Sequence, residues 1–189
     1  MIKLIVGLGN PGQHYKKTRH NVGFLFLEQL IADSGSSWTK ELKFQGWVAN
    51  CHIGSHKITV LKPDTFMNHS GQSVGKIARY YKLDVNEILV VHDELDFVAG
   101  TVKLKKSGGH AGHNGLRDII SHLSSKDFYR LRVGIGRPNS EKNVADYVLS
   151  NPSKMDMGFI DDAFARIKTI LALLVSGDIE TAIKNLHTN

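Results

Sequence analysis

Ile2 to Leu8 is a nearly unbroken apolar run that stops abruptly at Gly9-Asn10-Pro11-Gly12. It is too short for a buried helix and reads as a strand covered on both faces. The pattern then changes period. Asn21 to Asp33 carries a helical repeat closed by Ser34-Gly35-Ser36-Ser37. Phe44–Ile53 and Lys57–Leu61 are two strand-like runs joined by Gly54-Ser55, a hairpin signal. Ser70–Leu83 reads as a helix with Ser70 or Asn68 as its cap, and Ile88–Val91 as another buried strand ending at His92-Asp93. Thr101–Lys106 alternates apolar and basic residues. A glycine-rich loop, Ser107–Gly115, leads to a helix over Leu116–Leu123, and Tyr129–Ile135 alternates again. Met157–Val175 and Ile179–Leu186 close the chain as helices. Interleaved strands and helices with no linker or repeat predict an α/β fold. We expect a single domain over residues 1–189, with a twisted, mixed but largely parallel sheet and helices on both faces.

A chain of 189 residues suffices for one well-buried core. The single cysteine, Cys51, excludes an internal disulfide framework and a cysteine-based zinc site. No run approaches the length of a membrane span, and the start lacks a signal-peptide pattern, so the expected compartment is a reducing cytoplasm. The net charge is +6. It is not evenly spread: Thr101 to Arg137 holds eight basic residues and two acidic ones, which is the whole excess. Lys103 and Lys105 share one strand face, and Arg130 and Arg132 share another. If those strands are neighbours, they form a basic plate beside His113-Asn114. Few aromatic residues interleave with these charges, so the plate suits phosphates better than stacked bases.

Four polar clusters follow strands or precede helices: Asn10–His20, Asn68, His92-Asp93 and His113-Asn114. Ligands of open α/β sheets bind beyond the carboxyl ends of the strands, so parallel strands would gather these clusters at one rim. Asp93 ends an apolar strand, where a carboxylate is costly unless paired or at the rim. A histidine such as His20 beside it would be fixed in one tautomer, leaving its other nitrogen free to take a proton from water. The plainer explanations are local packing for His20, a turn for Asp93-Glu94-Leu95-Asp96, and helix capping for Asn68 and Asn114. Those two amides could otherwise donate to a carbonyl or developing oxyanion.

Three other patterns are weaker. Gly7-x-Gly9-x-x-Gly12 lacks a prompt helix and the acidic residue of a dinucleotide fingerprint. Gly71-Gln72-Ser73-Val74-Gly75 is too far from its strand for a nucleophile elbow. His110-x-x-His113 with His92 and Asp93 lacks the helical frame of the usual metal motifs, and no metal is expected.

The ordered set Gly7-Leu8-Gly9-Asn10-Pro11-Gly12, Thr18-Arg19-His20-Asn21, Thr65-Phe66-Met67-Asn68, His92-Asp93-Glu94-Leu95-Asp96, Gly112-His113-Asn114-Gly115-Leu116 and Arg130-Leu131-Arg132-Val133-Gly134-Ile135-Gly136 resembles the bacterial peptidyl-tRNA hydrolase family from end to end. The resemblance implies a monomer without metal or organic cofactor and without an obligate protein partner. It implies cleavage of the ester between a peptide's carboxyl terminus and the 3′ ribose of its tRNA, engaging the acceptor stem and 3′ end. His20 then corresponds to the base and Asp93 to its orienting partner. Asn10, Tyr15, Phe66, Met67, Asn68, His113 and Asn114 correspond to substrate-binding residues. Lys103, Lys105 and Arg132 correspond to the phosphate clamp. His69, Ala111 and Phe97-Val98-Ala99 depart from the commoner family pattern without removing a group the chemistry uses. The competing expectation is a non-catalytic RNA-binding relative of the kind that acts in intron splicing. Such a protein would keep the plate and could lose the His–Asp pair.

Overall fold

The computed structural model describes residues 1–138 and 143–187. Four parallel strands form its centre: β1 (Leu4–Gly7), β4 (His56–Pro63), β5 (Ile88–Glu94) and β7 (Tyr129–Gly134). Antiparallel strands extend the sheet on both sides. These are β2 (Thr39–Glu41) and β3 (Gly46–Ile53) beyond β4, and β6 (Val102–Lys106) beyond β7. The seven strands run in the order β2-β3-β4-β1-β5-β7-β6.

Helices cover both faces, as the interleaved pattern predicts. On one face α1 (Val22–Asp33), α5 (Lys154–Ser176) and α6 (Ile179–His187) pack Phe26, Leu27, Phe164 and Ile167 against Ile5, Leu89, Val91 and Leu131. On the other, α2 (Ser70–Tyr80) and α3 (Asn114–Leu123) pack Val74, Ile77 and Ile119 against Val6, Ile88 and Val90. All seven β5 residues are buried, and the first four, Ile88–Val91, form the continuous apolar run expected of a strand covered on both faces.

Two glycines set how closely α1 approaches the sheet. A methyl group on Gly23 would overlap Leu8 N and Val91 O, and one on Gly7 would overlap the Gly23 carbonyl. Gly7 therefore serves helix–sheet packing. The first α-helix begins only at Val22, well after Gly12, so the strand-to-helix turn of a dinucleotide fingerprint does not form there. Ser73 lies inside α2, fully buried and with no hydrogen-bond partner among the described residues. Burial also pushes the Cys51 thiol up, leaving neither side chain as a nucleophile.

The strand β5 runs on through His92, Asp93 and Glu94, where the residue types suggest a turn. These three pair in register with Arg132, Val133 and Gly134 of β7, and that pairing overrides the local preference of the acidic residues. The hairpin begins at Gly46 because Leu42–Phe44 forms a single helical turn and Gln45 adopts a left-handed conformation at φ 50°. Neither expected residue caps α2. His69 holds the cap position without a side-chain bond, and Asp118 Oδ2 of α3 accepts the Gly71 N–H at 2.7 Å. The short strand β2 and a short helix, α4 (Val144–Val148), carry too few residues to show a period in the sequence. Among the described residues no helix is long and apolar enough to cross a membrane.

Candidate active site

The parallel directions of β1, β4 and β5 bring three of the four polar clusters to one rim, and the glycine-rich loop after antiparallel β6 carries the fourth, His113-Asn114, back to it. The loop after β1 supplies Asn10 and, on a single helical turn before α1, His20. The loop after β4 supplies Phe66, Met67 and Asn68; β5 supplies Asp93; and the glycine-rich loop before α3 supplies His113. His20, Asp93, His113, Asn10, Asn68 and Asn114 all line one cleft of about 810 Å³.

Asp93 is the hub. It is 4% exposed, and its carboxylate accepts two imidazole N–H groups. His20 Nδ1 lies 2.9 Å from Oδ1 and 3.0 Å from Oδ2, and His113 Nε2 lies 2.9 Å from Oδ1. These distances resolve the cost of a buried carboxylate: burial alone would raise its pKa, and the two histidines more than reverse that, holding it well below the usual range. His20 shows the reciprocal effect. Burial opposes its protonation, but the Asp93 charge and hydrogen bond outweigh it and raise the imidazole above its ordinary value.

The tautomers follow from the partners. A carboxylate only accepts, so the proton of neutral His20 sits on Nδ1, and Nε2 carries the free lone pair. His113 Nδ1 accepts the N–H groups of Gly115 and Leu116 at 3.2 and 3.4 Å, so its proton sits on Nε2. His113 is thus the cap of α3, and Asn114 is its exposed first residue. With both nitrogens engaged, His113 braces Asp93 and offers no free nitrogen to a ligand in this arrangement. His92, behind it, donates through Nδ1 to its neighbour's carbonyl at 2.7 Å. Burial, with His113 beside it, holds His92 neutral with a pKa lowered to about 3.

Asn10 is locked. Its backbone N–H and carbonyl pair with the Asn21 amide at 2.8 and 2.9 Å, and its Oδ1 accepts the Met67 N–H at 2.7 Å. That leaves the Asn10 Nδ2 group as a donor toward the cleft. The exposed Asn68 amide makes no hydrogen bond to any described residue. Phe66 stands exposed on the rim. Tyr15 packs edge-on against it, with ring centres 6.3 Å apart, and does not itself line the cleft.

The basic strands are neighbours, with Lys103 opposite Arg132 and Lys105 opposite Arg130. The plate forms on the face that α2 and α3 cover elsewhere, but its members differ. Arg130 is buried and donates to Gly109 O and Gly108 O, both at 2.6 Å, so it holds the glycine-rich loop. Arg132 pairs with Glu94 and Arg137 with Asp96. Lys105 and Arg132 line the cleft. Lys103 lies outside it, its ammonium 5.1 Å from the Phe97 ring centre.

Sequence reasoning did not single out Arg19. Its Nη1 donates to Ser150 Oγ at 2.7 Å and Asn151 O at 2.8 Å, and its guanidinium lies 4.2 Å from the Tyr147 ring centre. It thereby fastens α4, one wall of the cleft, to the turn that bears His20.

His20, Asp93 and His113 also place three atoms of metal-ligand type within 4.8 Å of one another. Both ring nitrogens in that set donate hydrogen bonds to the carboxylate, so ligation there would require displacing two protons. His110 stands apart, its Nδ1 accepting the Gly112 N–H at 3.1 Å.

The chain matches the family model described as peptidyl-tRNA hydrolase over residues 4–189. It is 51% identical to a protein of Coxiella burnetii named peptidyl-tRNA hydrolase, over 99% of this chain and 98% of that one. It is 49% identical to the protein of that name from Dichelobacter nodosus, over the full length of both. The crystal structure of peptidyl-tRNA hydrolase from Acinetobacter baumannii superposes with a TM-score of 0.94 at 43% identity, covering 98% of this chain and 94% of that one. A matching family model, a shared fold and near-complete coverage leave one assignment: the chain belongs to the peptidyl-tRNA hydrolase family.

Proposed function

We infer that this protein hydrolyses the ester between a peptide's carboxyl terminus and the 3′ ribose of its tRNA, with water activated by His20. The observation that carries this reading is the His20–Asp93 pair. Its Nδ1 is anchored at 2.9 Å, and the opposite nitrogen has no described partner on the wall of a cleft flanked by the basic plate.

His20 Nε2 removes a proton from water as the water oxygen attacks the ester carbonyl carbon. The Asp93 carboxylate stabilises the imidazolium that forms. The negative charge moves to the carbonyl oxygen, where the neutral donors of Asn10, Asn68 and Asn114 stand ready. Collapse of the tetrahedral intermediate breaks the bond to the ribose oxygen, and the imidazolium returns its proton to that oxygen. The elevated pKa of His20 assists this second transfer. An ester needs no covalent nucleophile for this, consistent with the burial of Ser73 and Cys51. Lys105 and Arg132 hold phosphates of the acceptor end and so place the ester over His20. We place the reaction in the cytoplasm, where peptidyl-tRNA arises.

The test is release of the blocked amino acid from an N-blocked aminoacyl-tRNA. Turnover that persists in EDTA supports the reading. Tight tRNA binding without turnover would favour a binding protein, and loss of turnover in EDTA a metal at His20, Asp93 and His113.

A further inference from the structure

The two arginines of β7 share a face but spend opposite edges. Arg130 uses its terminal nitrogens on the carbonyls of Gly108 and Gly109. Arg132 uses only Nε, which donates to Glu94 Oε2 at 2.9 Å. Its Nη groups make no hydrogen bond to a described residue, and its guanidinium lies 4.5 Å from the Phe97 ring centre. Glu94 is itself fixed, 8% exposed, with Oε1 accepting the Asp96 N–H at 3.0 Å. Stacking on one side and the Glu94 bond at Nε leave one free edge, the fork that matches a phosphate bidentately. The same carboxylate offsets the charge it aims. No mechanistic step uses Glu94, although it is next in sequence to Asp93.

We propose that Glu94 is a positioning residue that limits affinity: it aims the Nη edge of Arg132 at a backbone phosphate of the tRNA and cancels part of its charge, so the grip orients the substrate yet releases the tRNA product. The proposal rests on the reading of Lys105 and Arg132 as a phosphate clamp. Lys105, for which no ion pair exists among the described residues, supplies the uncompensated attraction. Counterion release by a bound polyanion scales with the positive charge the protein presents. The Lys105–Arg132 clamp without Glu94 would bind product more tightly and with greater salt dependence.

The experiment is titration of deacylated tRNA at several salt concentrations onto the wild type, Glu94→Gln, Glu94→Asp, Arg132→Gln and the Glu94→Gln/Arg132→Gln double variant. Thermal unfolding of each confirms the fold. Glutamine keeps an oxygen for Nε and removes the charge. Glu94→Gln should bind severalfold tighter at low salt, with a steeper slope of log K against log salt and stronger product inhibition. Glu94→Asp, which keeps the charge, should retain the wild-type slope. The gain should vanish in the Arg132→Gln background. Unchanged or weaker binding by Glu94→Gln would overturn the proposal, as would an equal gain in both backgrounds. The clamp reading fails separately if Arg132→Gln and Lys105→Ala both leave tRNA affinity unchanged.

Discussion

His20 Nδ1 lies within 3.0 Å of both oxygens of Asp93, so the imidazole is held by a carboxylate that has no freedom to let it turn. In the proposed mechanism this pair sets the working pH. The proposed base is the neutral form of His20, and Asp93 raises its pKa above the ordinary imidazole value. The rate at limiting substrate should therefore rise with pH along a limb lying above that value. In Asp93→Asn the raising charge is gone and burial acts alone, so the limb should move to lower pH while the maximal rate falls. A pH–rate profile of the variant checks this, and an acid limb that stays in place would contradict it.

Stability should fall in the same direction at the acid end. The folded-state pKa of Asp93 is depressed, so its contribution is present above the unfolded carboxylate value and is lost as pH falls. Denaturant titrations from pH 7 downward should show the wild type losing stability below about pH 4, the usual carboxylate range. Asp93→Asn should lose less over the same interval.

The polar clusters at the ends of strands were legible because apolar strands end where the chain reaches solvent. The parallel order of β1, β4, β5 and β7 then gathered Asn10, His20, Asn68 and Asp93 at one rim, as those clusters implied. The brace from His113 was not legible, because choosing between a ligand and a cap requires knowing which nitrogen faces which partner. Nor were the Glu94–Arg132 and Arg19–Ser150 contacts, which join residues 38 and 131 positions apart. Pairing at such separations leaves no periodic trace in a single sequence. The run to Glu94 in β5 was hidden for a related reason: acidic residues look like a turn until β7 supplies their hydrogen-bond partners.

Arg19 ties α4 to the His20 turn with charge-assisted hydrogen bonds from a nearly buried side chain. Such bonds contribute about 1.5–3 kcal/mol each at most. Arg19→Ala should lower the unfolding midpoint and raise KM, since the α4 wall of the cleft loses its fastening. Arg19→Lys should recover only part of both, because an ammonium cannot also stack over Tyr147 as a planar group does. Steady-state kinetics with calorimetry on the two variants separates these outcomes.

Gly23→Ala would drive a methyl group into Leu8 N and Val91 O. The helix α1 must move away from the sheet, at a cost of about 1–3 kcal/mol or more. Because His20 lies just before that helix, activity should fall alongside the thermal midpoint. An alanine variant with wild-type stability would show that the packing there is looser than described.

Lys105→Ala should weaken tRNA binding and reduce the magnitude of its salt slope by about one unit or slightly less, the share of a single phosphate contact. The chemical step in single turnover at saturating enzyme should be little changed. An unchanged salt slope would remove Lys105 from the clamp.

The central claim is that His20 activates water, and single-turnover hydrolysis of an N-blocked aminoacyl-tRNA by His20→Ala tests it most directly. The variant should bind deacylated tRNA with near wild-type affinity and release the blocked amino acid roughly 10²–10⁴-fold more slowly, the share of a general base. Near-normal turnover by His20→Ala would contradict the claim outright.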